Sequence, residues 1–223
     1  MKRSGYLRWF RQRRPCASLF LGSLLALVLI PIHLKDGTHK AQAMNISETT
    51  FIYSVLKAQG MGLSETSLRK LAAGIVEESR KHSFDPMLVL AVIKVESRFD
   101  HEAVSHRGAQ GLMQIRPPAV AAVVDQGDIP DLPDETSLKD PIVNVKIGTA
   151  YLRQLKQMFN DLRLALTAYN SGPTRVKKTL AAKQEIRFRY ANKVFSAQRL
   201  FEKDRKEATT VLQRREFRSQ DIG

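Results

Sequence analysis

The chain has a single cysteine, Cys16, among 223 residues, so no intrachain disulfide can form. Five histidines are scattered without metal-ligand spacing, and His101 and His106 read as loop residues. Five acids lie between residues 125 and 135, but DQGDIPDLPDE lacks the spacing of a calcium loop and reads as a solvated turn. There is no low-complexity tract, no internal repeat, and no stretch that alternates apolar and polar residues as a half-buried strand does. What remains is ordinary globular composition, 43% hydrophobic and 26% charged, enough for one domain with a real core. The expected fold class is all-α.

The formal charge of +14 suggests a nucleic-acid binder until it is mapped. Residues 1–40 hold eight Lys/Arg against one Asp, and residues 174–223 hold fourteen against six acids. Residues 41–173 hold fourteen against fifteen and are close to neutral. The surplus sits at the two ends, which argues against a nucleic-acid partner.

One end has a simple reading. Lys2, Arg3, Arg8, Arg11, Arg13 and Arg14 precede CASLFLGSLLALVLIPI, seventeen uncharged residues from Cys16 to Ile32. That is a secretory signal or a membrane anchor. Ala41-Gln42-Ala43 has the form of a cleavage site but lies far past the apolar run, which favours an uncleaved anchor with its N-terminus in the cytoplasm. Cys16 follows Arg-Arg-Pro and not a lipobox. In either case the remainder is exported, and the expected location is periplasmic, anchored in the inner membrane by residues 16–32 or released after cleavage.

Residues 33–50 are polar and read as a linker. Helical periodicity predicts short or long helices over 52–58, 68–82, 86–99, 141–159 and 162–170, with another beginning at Pro117. Asp85-Pro86 is a strong start signal, and Asp140 sits at the cap of the long helix. Gly172-Pro173 stops the helix before it. LMQIRP reads as a short helix or turn. In the basic final fifty residues, Ile186, Tyr190, Val194, Ala197 and Phe201 fall on one stripe, expected to pack on the domain.

The segment VIKVESRFD ends an apolar run on a carboxylate, Glu96. Val92, Ile93 and Phe99 lie at i−4, i−3 and i+3. Burial beside them raises a carboxyl pKa, and the negative end of the helix disfavours an anion further. A glutamate kept protonated near neutral pH is what a general acid needs.

ESRFD, Ser105, GAQGLMQIRP and ALTAYNSGP, taken in order with DPIVNVKIGTAYLRQL between the last two, resemble the catalytic domain of the soluble lytic transglycosylase family. The resemblance runs from about Pro86 to Val176 and implies a lysozyme-like fold. It implies Glu96 as the catalytic acid, with Ser97 beside it setting local geometry or touching substrate. It places Ser105 near the reacting sugar, and Gly108 and Gly111 in a turn that lets backbone approach the glycan. Met113 and Gln114 would line the cleft, and Tyr169 and Asn170 would stand opposite the acid, with Tyr169 oriented toward the Glu96 carboxyl. Plain turns would also account for Gly108 and Gly111, and a core position for Met113. Asp100-His101, Arg116 and Pro118 depart from the family pattern and bear on loop detail. The domain plan that follows is a signal or anchor with linker (1–43), a linker and N-terminal helix (44–67), a catalytic domain (68–184) and a basic helical extension (185–223).

The family reaction implies peptidoglycan glycan strands as substrate, cut at the MurNAc–GlcNAc β-1,4 bond to a 1,6-anhydro product, with no metal or other cofactor. Two rivals stand beside it. A water-using muramidase needs a second carboxylate, for which Asp100 is the candidate. A non-catalytic glycan-binding scaffold of an envelope or secretion machine would keep the fold without the chemistry. Envelope or secretion-system partners are open to the basic C-terminal stretch.

Overall fold

The computed structural model describes residues 48–129 and 138–220, with side chains to residue 211. The charged leader, the 16–32 apolar run, Cys16, Ala41-Gln42-Ala43 and most of the acidic loop lie outside the described residues.

Eight helices make up the described chain: α1 (residues 48–58), α2 (Glu65–Lys81), α3 (Pro86–Glu96), α4 (Pro117–Asp125), α5 (Pro141–Phe159), α6 (Leu162–Ser171), α7 (Pro173–Ala181) and α8 (Arg189–Gln220). Among the described residues the extended pairing is limited to two isolated bridges, Val104 with Gln110 and Gln110 with Ile115, which pinch a turn. The architecture is all-α.

Local chemistry starts the helices where the sequence predicts. The Asp85 carboxylate accepts from the Met87 N–H at 2.6 Å with Pro86 at the first helical position. Asp140 accepts from the Ile142 and Val143 N–H groups ahead of the long α5. Asp161 caps α6 through the Leu164 N–H. α2 begins three residues earlier than the apolar pattern suggests, because the Ser64 hydroxyl accepts from the Ser67 N–H and opens a polar first turn.

α3 forms the spine. Every residue from Pro86 to Ile93 is buried, with no polar face at all, so it must be surrounded. α2 and α8 pack on it, α5 packs on α2, α4 and α6, and α6 also meets α7 and α8. α8 docks through Ala191, Val194, Ala197 and Phe201, all buried at helical spacing. Phe201 meets Phe99 edge-on at 6.4 Å between ring centres, and the Lys94 ammonium lies over the Phe201 ring at 5.1 Å. Ile186, expected on the same helical stripe, precedes α8 and packs on the core from the irregular connection instead.

α3 ends at Glu96, three residues short of the expected boundary near Phe99. Arg98 and Phe99 both take left-handed backbone, with φ of 54° and 69°, a conformation L-residues adopt at a cost. That double turn swings the Phe99 ring into the core against Phe201 and leaves Glu96 as the final helical residue.

Candidate active site

Glu96 stands half-buried at the C-terminal end of α3 and adjoins a cleft through Tyr190, which lines it. Burial drives its carboxyl pKa from the usual carboxylate range up to about 7, against the opposing pull of one hydrogen bond. That bond comes from the Tyr190 hydroxyl, which donates to Glu96 Oε1 at 2.5 Å. No second carboxylate among the described residues contributes to the shift. Asp100, four residues on, is exposed, and its Oδ1 accepts from the Glu102 N–H at 3.0 Å in its own loop. Among the described residues no group of three His, Cys, Asp or Glu side chains comes together as a metal site.

Two tyrosines face this carboxyl. Burial first, and then the neighbouring Glu96, raises both Tyr169 and Tyr190 well above the ordinary phenol range, so both remain hydrogen-bond donors. They are divided in use. Tyr169 was expected to aim at Glu96, yet its hydroxyl donates to the Met113 carbonyl at 2.8 Å, and its ring rests against Tyr151 at 5.7 Å. Tyr190, which sequence reasoning placed only on an apolar stripe, takes the position on Glu96. Its one sequence signal is that it is the polar member of that stripe.

The other expected residues separate into cleft and support. Asn170 is exposed on the cleft wall. Gln114 lines the same cleft in left-handed backbone, φ 50°, and its amide donates to the Ala103 and Gly111 carbonyls at 3.1 Å each. The Ser105 hydroxyl accepts from the Ala109 N–H at 3.0 Å and shapes the 105–109 turn, where Gly108 has φ +73° and open space around it. Ser97 turns inward: its buried hydroxyl donates to the Ile93 carbonyl at 3.2 Å, closing its own helix. Met113 is a core residue, with no exposed surface and with its sulfur packed so tightly on Gly148 that a Cβ there would collide with it. Gly111 also faces inward. A Cβ at Gly111 would lie 2.7 Å from the Leu138 carbonyl and would overlap the Asn144 side chain, so its requirement is close packing within the protein and not approach of a glycan.

Asn144 is the support that sequence reasoning missed. Fully buried on α5, it accepts from the Met113 N–H at 2.8 Å and donates to the Gln110 and Leu138 carbonyls at 2.9 and 2.8 Å. One amide satisfies the Met113 N–H and the Leu138 carbonyl and adds a second donor to the Gln110 carbonyl, which also accepts from the Ile115 N–H. The turn that carries Gln114 into the cleft is thereby clamped to the helix beneath it.

A half-buried acid of raised pKa, two tyrosine donors and a cleft with amide side chains on its wall lie together, and comparison with known proteins assigns the lineage. Residues 74–192 match the Transglycosylase SLT domain. The chain belongs to this family. The matched residues run from α2 through Tyr190, the residue that donates to Glu96.

Among relatives of this SLT-family chain, the soluble lytic murein transglycosylase of Salmonella typhimurium is 39% identical over 92 residues, covering 41% of this chain and 14% of that protein. A membrane-bound lytic murein transglycosylase C from Cronobacter sakazakii is 30% identical over 173 residues, covering 73% of this chain and 46% of its own length. The chain therefore spans less than half the length of these curated relatives. An inactive mutant of the lytic transglycosylase Slt from Pseudomonas aeruginosa aligns in three dimensions with a TM-score of 0.53 at 29% identity, over 59% of this chain and 24% of that one.

Proposed function

We propose that the chain is a peptidoglycan lytic transglycosylase in which Glu96 acts first as general acid and then as general base. The observation that carries this reading is the Glu96 carboxyl itself, with a pKa raised to about 7 and no second carboxylate beside it among the described residues. The relatives' names, which describe lytic action on murein, support the substrate class.

The chemistry follows from one proton in two moves. Protonated Glu96 gives its proton to the oxygen of the MurNAc–GlcNAc β-1,4 bond, and the C1–O bond breaks with positive charge developing at C1. The C6 hydroxyl of the same sugar then attacks C1, and its proton passes to the Glu96 carboxylate, which restores the acid. The product is a 1,6-anhydro ring and no water is consumed. Because the nucleophile is part of the substrate, its effective concentration is very high and it needs little activation. A hydrolase would need a second carboxylate to activate water, and a pKa near 7 suits a group that must both give and take a proton at neutral pH. Tyr190 assists the first half, since a donor on Oε1 stabilises the carboxylate that proton transfer leaves behind. Gln114 and Asn170 supply amides for sugar groups along the cleft.

The apolar run at 16–32 supports placement in the periplasm at the inner membrane, where peptidoglycan is within reach. Mass spectrometry of products from purified peptidoglycan tests the function. Fragments one water lighter than reducing-end sugars, absent with Glu96→Gln, are expected. Reducing-end products would replace the reading with a muramidase. No product from the native chain would favour a glycan-binding scaffold.

A further inference from the structure

Beyond the reacting centre the cleft turns sharply basic. On the far side of Asn170 a depression of about 410 Å³ runs between α6, α7 and the connection into α8, lined by Arg175, Arg187, Arg189, Gln184 and Glu185 and ending at Tyr190. A second depression shares Arg175, Thr179 and Gln184 with it and adds Lys178. Four cations thus face one continuous surface that begins at the tyrosine bonded to Glu96, against a single carboxylate, Glu185. Among the described residues none of the four cations makes an ion pair.

Stability does not account for this placement. Arg175 lies in the first turn of α7 and Arg189 opens α8, where the positive end of a helix disfavours cations, and neither helix has an acid in its first turn to offset them. The other arm of the cleft, lined by Gln114, Ile115, Pro118, Tyr151 and Tyr169, carries only Arg116 as a charge. The charge is thus concentrated in the arm that ends at Tyr190. A glycan backbone offers that surface hydroxyls and acetamides, which do not call for four cations. The peptide stems borne by alternate sugars of a peptidoglycan strand offer carboxylates.

We infer that this basic arm is a subsite for the carboxylates of the peptide stem, with Arg175 and Arg187 as the principal contacts. The inference rests on the peptidoglycan reading above. It makes the stem, and not the sugar alone, a determinant of which bond reaches Glu96. Arg suits the task, since its planar fork accepts a carboxylate through two parallel hydrogen bonds. Stems with free carboxylates then bind better than neutral ones, through KM more than kcat.

The test is binding by the full chain carrying Glu96→Gln, which separates recognition from turnover. Two probes are titrated calorimetrically: GlcNAc–MurNAc-tetrapeptide, and the same muropeptide with its stem carboxylates converted to carboxamides. The acidic probe is expected to bind about tenfold tighter at low salt, with the ratio shrinking at high salt. Adding Arg175→Gln and Arg187→Gln brings the ratio close to one, while Arg175→Lys with Arg187→Lys retains most of it, which excludes a folding defect. A ratio of one in the parent, a ratio that survives the double Gln change, or no binding of either probe overturns the subsite. Product mass from the native chain judges the transglycosylase reading separately: a chain that hydrolyses the strand yet prefers the acidic probe keeps the subsite and loses that reading.

Discussion

The Tyr190 hydroxyl lies 2.5 Å from Glu96 Oε1, joining the first turn of α8 to the last residue of α3. It is the one hydrogen bond that opposes the effect of burial on this carboxyl. Tyr190→Phe removes a donor that favours the ionised form, so the Glu96 pKa rises further. A hydrogen bond to a charged group is worth roughly 1.5–3 kcal/mol, which corresponds to about one to two pH units. The alkaline limb of the kcat/KM profile should move up by about that much, and kcat should fall about tenfold or more because the carboxylate formed in the first step loses its partner. A simple folding defect would lower activity without moving the limb.

The native chain, acting as proposed, should itself lose kcat/KM above pH 7. In the proposed mechanism the acid form of Glu96 starts the reaction, and its fraction falls tenfold per unit once pH exceeds the pKa of about 7. A profile that stays flat to pH 9 would remove Glu96 from the role of acid.

Stability carries the same signature with the opposite sign from a salt-bridged carboxylate. The folded pKa, about 7, lies above the ordinary carboxyl value of 4.5. Below about pH 4.5 the group is protonated in both states and costs nothing. As pH rises toward 7 the unfolded chain ionises it freely while the folded chain does not, so stability is lost across that window and stays lost above it. A shift of this size is worth about 3 kcal/mol at most. Glu96→Gln should therefore unfold at higher urea than the native chain at pH 8, and at nearly the same urea at pH 4.5.

Asn144→Ala should be among the costliest single changes away from Glu96. It leaves the Met113 N–H and the Leu138 carbonyl without their partner in a buried site and removes one of two donors from the Gln110 carbonyl, for an expected loss of about 2–4 kcal/mol. Activity should fall with it even where the chain remains folded, because Gln114 loses its anchor. Urea unfolding together with activity measured well below the midpoint separates the two effects.

Asp100→Asn distinguishes transglycosylation from hydrolysis within one chain. The Asp100 carboxylate serves the Glu102 N–H, and asparagine can accept the same bond through its side-chain oxygen. Product mass should be unchanged and the rate should stay within about twofold. A collapse of activity would restore Asp100 as a second catalytic carboxylate.

Much of this was legible in the chain because the deciding interactions are local. Asp85-Pro86 and Asp140-Pro141 start their helices through hydrogen bonds that span two or three residues. Glu96 could be singled out because the residues that bury it include its own helical neighbours, and a period of 3.6 places Val92 and Ile93 beside it. The end of α3 was less legible. Phe99 continues the apolar period, but it enters the core through left-handed backbone to meet Phe201, a partner on another helix.

The composition and periodicity of the sequence by themselves determined an all-α chain with a desolvated carboxylate at the end of its most apolar helix. They did so because helix caps and helical faces act within a few residues. Only the tertiary structure decided which tyrosine serves that carboxylate. Tyr169 and Tyr190 are equivalent in chemistry, and helix packing sends one to Met113 and the other across 94 residues of sequence to Glu96. It also decided that Gly111 and Met113 face Asn144 and Gly148 within the protein while Gln114, their neighbour, faces the cleft. Residues far apart in the chain meet according to how whole helix faces pack, and no local pattern records that choice.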